Sequence, residues 1–118
     1  MATREEQDRL ELLQGTLDQL ILRTLISGSQ HGPEIARIIQ QTSEDELFIE
    51  HGALHPALQR LESQGWISAE WGISKNNRKD RFYRLTGAGR TRLAKETKKW
   101  MQLAGAIEGV LDTEAEET

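Results

Sequence analysis

The chain has 118 residues and a mass of 13.4 kDa, enough for one small domain. It has no Cys, which excludes disulfide scaffolds, thiolate metal sites and Cys nucleophiles. Fifteen Lys and Arg stand against 19 Asp and Glu, and the net charge of −4 argues weakly against a nucleic-acid partner.

Residues 4–13 read as a short helix with Leu10, Leu12 and Leu13 apolar, broken by Gly15. Thr16 can cap a second helix, on which Leu17, Leu20, Ile21, Leu22, Leu25 and Ile26 form one face. Gly28 suits a left-handed cap at its end. His31-Gly32-Pro33-Glu34 opens the next helix, with Pro33 fit for a first helical position and Ile35, Ala36, Ile38 and Ile39 as the buried face. A turn at 42–45 and an apolar link, Leu47-Phe48-Ile49, lead to a helix over 52–64. There Leu54, Ala57, Leu58 and Leu61 fall at i, i+3, i+4 and i+7, Pro56 lies near the start, and Gly65 ends it. The period then changes. Residues 66–73 and 81–85 read as strands around a polar, Asn-rich tip at 74–80, a β-hairpin in which either Phe82 or Tyr83 faces inward. Thr86 caps a long helix over 87–111, and residues 112–118 form an acidic, frayed tail.

The expected fold is mainly α with a small β-hairpin. A winged helix-turn-helix spans 14–86, between an N-terminal helix over 1–13 and a long dimerisation helix over 87–111, with the acidic flexible tail over 112–118. In such a unit the second helix of the helix-turn-helix enters a DNA groove and the hairpin lies beside the backbone. Charge follows the same division. Residues 50–100 carry eleven basic and five acidic groups, a balance of +6, whereas 1–49 and 101–118 each sum to −5. A local patch, not the total, sets the field that a polyanion meets. No apolar stretch exceeds three residues (Gly not counted) and no signal-peptide core is present, so no membrane span and a cytoplasmic location are expected.

Several segments resemble the PadR-like transcriptional regulators, in an order that covers about residues 13–111. They are Gly15-Thr16-Leu17-Asp18-Gln19-Leu20, His31-Gly32 with Glu34-Ile35-Ala36, the run Gly52–Glu62 followed by Gly65-Trp66-Ile67, and Tyr83-Arg84-Leu85-Thr86 with Gly89 and Arg90. Trp100 sits where the family's last helix often carries a Trp. Pro33 and His55 stand where the family usually has Tyr. The resemblance implies repression as the usual mode. It also implies that a small-molecule effector can sit at the dimer interface, with Trp100 as the position to watch.

On the third helix the face opposite Leu54, Leu58 and Leu61 shows Ala53, His55, Pro56, Gln59 and Arg60. Arg pairs with guanine and Gln with adenine, and an Ala methyl can touch thymine, so these five are the expected base-reading set. Lys75, Asn76, Asn77, Arg78, Lys79 and Arg81 of the hairpin suit phosphates of double-stranded DNA, which position without specifying. Leu93, Trp100 and Ile107 recur every seven residues, with Ala104 and Leu111 in companion positions and Leu103 widening the stripe. A sustained heptad pattern favours a partner helix, so a homodimer is expected, with Leu10, Leu13 and Leu17 joining the interface.

Two rival readings are weaker. His51 and His55 are four apart, but Gly52, Ala53 and Leu54 between them offer no base, and no third ligand is placed by the pattern. No metal, cofactor or catalysis is expected. A winged helix used as a protein-interaction adaptor has no need of Gln59, Arg60 and the basic wing, all of which are present.

Overall fold

The computed structural model describes residue 3 and residues 15–116, except for the side chains of 51 and of 114–116. The expected helix over 4–13, with Leu10, Leu12 and Leu13, lies outside the described residues.

The element order is α1 (15–24), β1 (Gln30–His31), α2 (Gly32–Thr42), α3 (His51–Ser63), β2 (Ile67–Ile73), β3 (Lys79–Leu85) and α4 (Gly87–Glu116). Gly15 and Thr16 are both helical, so α1 includes the residue expected to cap it. A helical Gly costs only about 1 kcal/mol, which the burial of one Ile or Leu offsets. A 3-10 turn at Leu25–Ser27 ends α1.

The cap of α2 is unusual in being a histidine. His31 Nδ1 accepts the backbone N–H of Glu34 at 3.2 Å, and the imidazole stacks on Phe82 with ring centroids 5.3 Å apart. His31 also belongs to β1, a two-residue strand that the sequence gives no period to reveal. It pairs antiparallel with β3 (Gln30 with Tyr83, His31 with Phe82), so the expected hairpin is a three-stranded sheet in the order β1-β3-β2.

One core unites every helix with the sheet. Ile21, Leu22 and Leu25 meet Ile35 and Ile39 of α2 and the whole inner face of α3, namely Leu54, Ala57, Leu58 and Leu61. Ile67, Tyr83 and Leu85 close it from the sheet. Tyr83, not Phe82, is the inward member of that pair, and burial pushes its phenol above the ordinary range, so it stays neutral. Leu93 of α4 is 4% exposed in this same core. It therefore cannot line a partner-facing stripe as expected, because its burial is already complete within its own chain.

The start of α4 is locked to the turn between α3 and β2. Thr86 Oγ1 accepts the N–H of Gly89 at 3.0 Å and donates to the carbonyl of Gly65 at 2.7 Å. Gly65 itself takes φ +78°, a left-handed conformation that suits a helix-ending glycine. Thr86→Ala removes both bonds and should cost about 1–2 kcal/mol. Thr86→Ser should restore most of it, as read from urea midpoints.

Beyond the domain α4 runs on to Glu116, five residues past the expected end at Leu111. No Pro and no Gly follow Gly109, so nothing in the sequence stops the helix. The molecule is elongated, with extents of 59 × 37 × 27 Å.

Candidate nucleic-acid interface

The inner face of α3 is consumed by the core, which turns its other face outward. Ala53, His55, Pro56 and Gln59 are all exposed there. Pro56 has no N–H to give the helix, so the backbone of α3 loses one bond within its second turn. Arg60 is placed differently from its neighbours. Its guanidinium donates to Asp18 of α1 at 2.8 Å, and it lies on the flank of α3 that faces α1. The pair bridges 42 residues of sequence, and no local pattern signals it.

The wing is a tighter hairpin than the sequence indicates. Lys79 and Asp80 belong to β3, opposite Ile73 and Gly72, which leaves only residues 74–78 as the tip. Ser74 N–H donates to the Arg78 carbonyl at 2.8 Å, and Asn77 N–H to the Ser74 carbonyl at 2.9 Å. Asn77 takes φ +60°, the left-handed position of this turn and one that Asn tolerates. Lys75, Asn76, Asn77 and Arg78 all project from this tip and are exposed. Lys79 and Arg81 are exposed on the strand behind it.

The wing and α3 are joined by charge. Arg81 donates to Glu62 at 3.1 Å, so this wing cation is shared between a helix carboxylate and any phosphate that approaches. Lys79 Nζ lies 5.2 Å and Arg81 Cζ 5.9 Å from the centre of the Trp71 ring. Trp71 is not among the expected site residues. Its signal was the alternation of Ile67, Ala69, Trp71 and Ile73, which puts all four on one face of β2.

On α4 the apolar residues beyond the domain remain uncovered within the chain. Trp100, Leu103, Ile107 and Leu111 are at least half exposed, as are Met101 and Val110, whereas Ala104 is half-buried. Leu17 is half-buried against the core, and Leu10 and Leu13 lie outside the described residues. No group of three or more His, Asp or Glu fit to hold a metal occurs among the described residues. None of their helices is long and apolar enough to cross a membrane.

A helix with one face in the core and one outward, a basic hairpin beside it and a long trailing helix together form a winged helix-turn-helix. The model of the transcriptional regulator PadR-like family matches residues 21–95, which takes in α2, α3, the wing and the seating of α4. The chain belongs to the PadR-like family of transcriptional regulators.

Solved structures agree. A transcriptional regulator from Clostridium thermocellum is 26% identical and superposes with a TM-score of 0.74, covering 83% of this chain and 95% of its own. A PadR family transcriptional regulator from Eggerthella lenta is 28% identical with a TM-score of 0.71, covering 89% of each chain. A curated relative from Lysinibacillus sphaericus, an uncharacterized protein, is 29% identical over 100 residues, or 85% of this chain and 92% of the relative. This PadR-like protein is therefore a DNA-binding regulator and not an enzyme.

Proposed function

We propose that this PadR-like regulator acts as a homodimer that binds a pseudo-palindromic duplex operator and represses transcription from it. The apolar stripe of α4 carries the reading. Trp100, Leu103, Ile107, Val110 and Leu111 are 50–72% exposed and recur at three- and four-residue intervals. A second copy of the same helix is the economical cover for a stripe of this length. Pairing through α4 brings two α3 helices to one duplex, where a spacing of about 34 Å matches one turn.

In each half-site His55 and Gln59 meet base edges, with Ala53 and Pro56 as shape contacts. Arg60 joins them only by exchanging Asp18 for an acceptor on DNA. Lys75, Asn76, Asn77, Arg78, Lys79 and Arg81 meet phosphates. With Arg81 already shared with Glu62, the cations Lys75, Arg78 and Lys79 of two copies give about six neutralised phosphates per dimer, a log–log salt slope of about −5. An effector seated between the two copies at Trp100 would alter the separation of the reading helices and so the affinity.

Selection of duplexes from a random pool, followed by light scattering with and without the selected DNA, tests the reading. A dimer that enriches a two-fold sequence is the expected result, and a reporter placed behind that sequence should be silenced. A monomer that enriches nothing would favour an adaptor role. Within the dimer, Gln59→Ala should cost about 1–3 kcal/mol and relax preference at one position. Lys75→Ala, which removes one cation from each half-site, should weaken all sequences alike and lower the salt slope by about 2.

A further inference from the structure

The structure assigns Trp71 of the wing as a further DNA-contacting residue, one that lays its ring against the sugar–phosphate wall beside the bases faced by α3. The assignment rests on the DNA-binding reading above and adds to it a contact that is neither a base-edge hydrogen bond nor an ion pair.

The register of the wing places this side chain. Residues directly opposed in an antiparallel pair share a face. Ile67 opposes Leu85 and Ala69 opposes Tyr83, and this face is the one buried in the core. Trp71 opposes Arg81 and Ile73 opposes Lys79 on the continuation of the same face, where the core has ended. Trp71 is 63% exposed there. It still looks toward α3, since Trp71, Asp80, Arg81 and Tyr83 line one groove of about 310 Å³ with Leu54 and His55.

A large indole that is mostly exposed beside α3 contributes little to the core. The groups around it state what it fits. Two cations, Lys79 and Arg81, lie over its ring within cation–π range. The ensemble is an apolar plate with two cations over its ring, which outnumber the single carboxylate of the groove, Asp80. A deoxyribose–phosphate strand has the complementary make-up, apolar on the sugar face and anionic at every phosphate. His55, at the other wall of the groove, is exposed on the α3 face proposed to meet base edges. A strand lying along the groove between them would touch both.

The test uses the full chain and the duplex it selects from the random pool. Trp71→Ala should weaken binding about tenfold, while Trp71→Phe should stay within about threefold of the parent. The salt slope should not change, because no charge is lost. The melting temperature should also hold, since the side chain is exposed. Comparison of the parent with Trp71→Phe isolates the fluorescence of Trp71 from that of the other two indoles, and DNA should shield it from iodide quenching. Three outcomes overturn the assignment. If Trp71→Ala binds as well as the parent and DNA leaves the quenching untouched, the ring makes no contact, while the regulator reading stands. If the affinity loss comes with a salt slope flattened by about 2 to 4, the ring only positions the Lys79 and Arg81 of the two copies. If the parent selects no duplex but an acidic peptide shields Trp71, both readings fall and the groove takes protein.

Discussion

Gly89→Ala is expected to destabilise the protein by about 3 kcal/mol, a fall of about 12 °C in melting temperature for a chain of this size. A Cβ at position 89 would lie 2.0 Å from the carbonyl oxygen of Trp66 and 2.9 Å from Leu85 Cδ1. A flexible side chain can turn away from such a clash, but this oxygen belongs to the backbone. It already accepts the N–H of Thr86 at 3.1 Å, and the Trp66 N–H donates to Leu61 at 3.1 Å. Relief therefore requires α4 to lift from the α3–β2 turn, which strains the Thr86 cap and unseats Leu93. The gain of about 1 kcal/mol from replacing a helical glycine is too small to compensate. Gly87→Ala, two residues earlier, meets nothing within 4 Å and should show no loss. A Gly89→Ala protein as stable as the parent would mean that α4 does not seat against Trp66.

The second large effect lies at the other end of α4. Leu103→Glu combined with Ile107→Glu should convert the proposed dimer to a monomer at micromolar concentration and lower affinity for its selected duplex by about 100-fold or more. Both side chains are at least half exposed within the chain, so the winged-helix core should keep its structure. What is lost is their burial against a partner, about 1.5–3 kcal/mol for each apolar side chain, with a charge placed in the seam instead. Each monomer then holds a half-site alone and forfeits the high effective concentration of a second reading helix. Light scattering and anisotropy with the selected duplex give both quantities. A double variant that remains dimeric would show that the copies meet through another surface.

The two predictions fall on residues that the sequence treats very unevenly. The heptad recurrence that carries the second is visible in the chain, and the exposure of Trp100, Leu103 and Ile107 agrees with it. The same recurrence placed Leu93 on the partner face, where it does not belong. Periodicity records which residues share a side of a helix. It does not record whether that side meets the same molecule along its whole length. The first turns of α4 lie on their own domain and the later turns do not.

The site divides in the same way. The exposed face of α3 followed directly from the spacing of Leu54, Ala57, Leu58 and Leu61, because a helix with one buried face must show the other. Arg60 belongs by sequence to that outward set, yet it is held by Asp18 across 42 residues. Trp71 read as one more strand aromatic, since alternation names a face but not the point along the strand where the core stops.

From its sequence alone this protein is a winged helix with a basic centre and a heptad-patterned final helix. Local spacing determines that much, because helical and strand periods, caps and charge runs are properties of neighbouring residues. Only the tertiary structure decided that His31 pairs with Phe82 in a third strand, that Leu93 is core, that Arg60 answers to Asp18 and that Trp71 lies exposed beside α3. Each of these depends on two segments distant in the chain meeting at one register, which no local pattern encodes. The net charge of −4 shows the same separation, since the positive balance of residues 50–100 falls on the wing and the start of α4, while Arg60 and Glu62 cancel within α3.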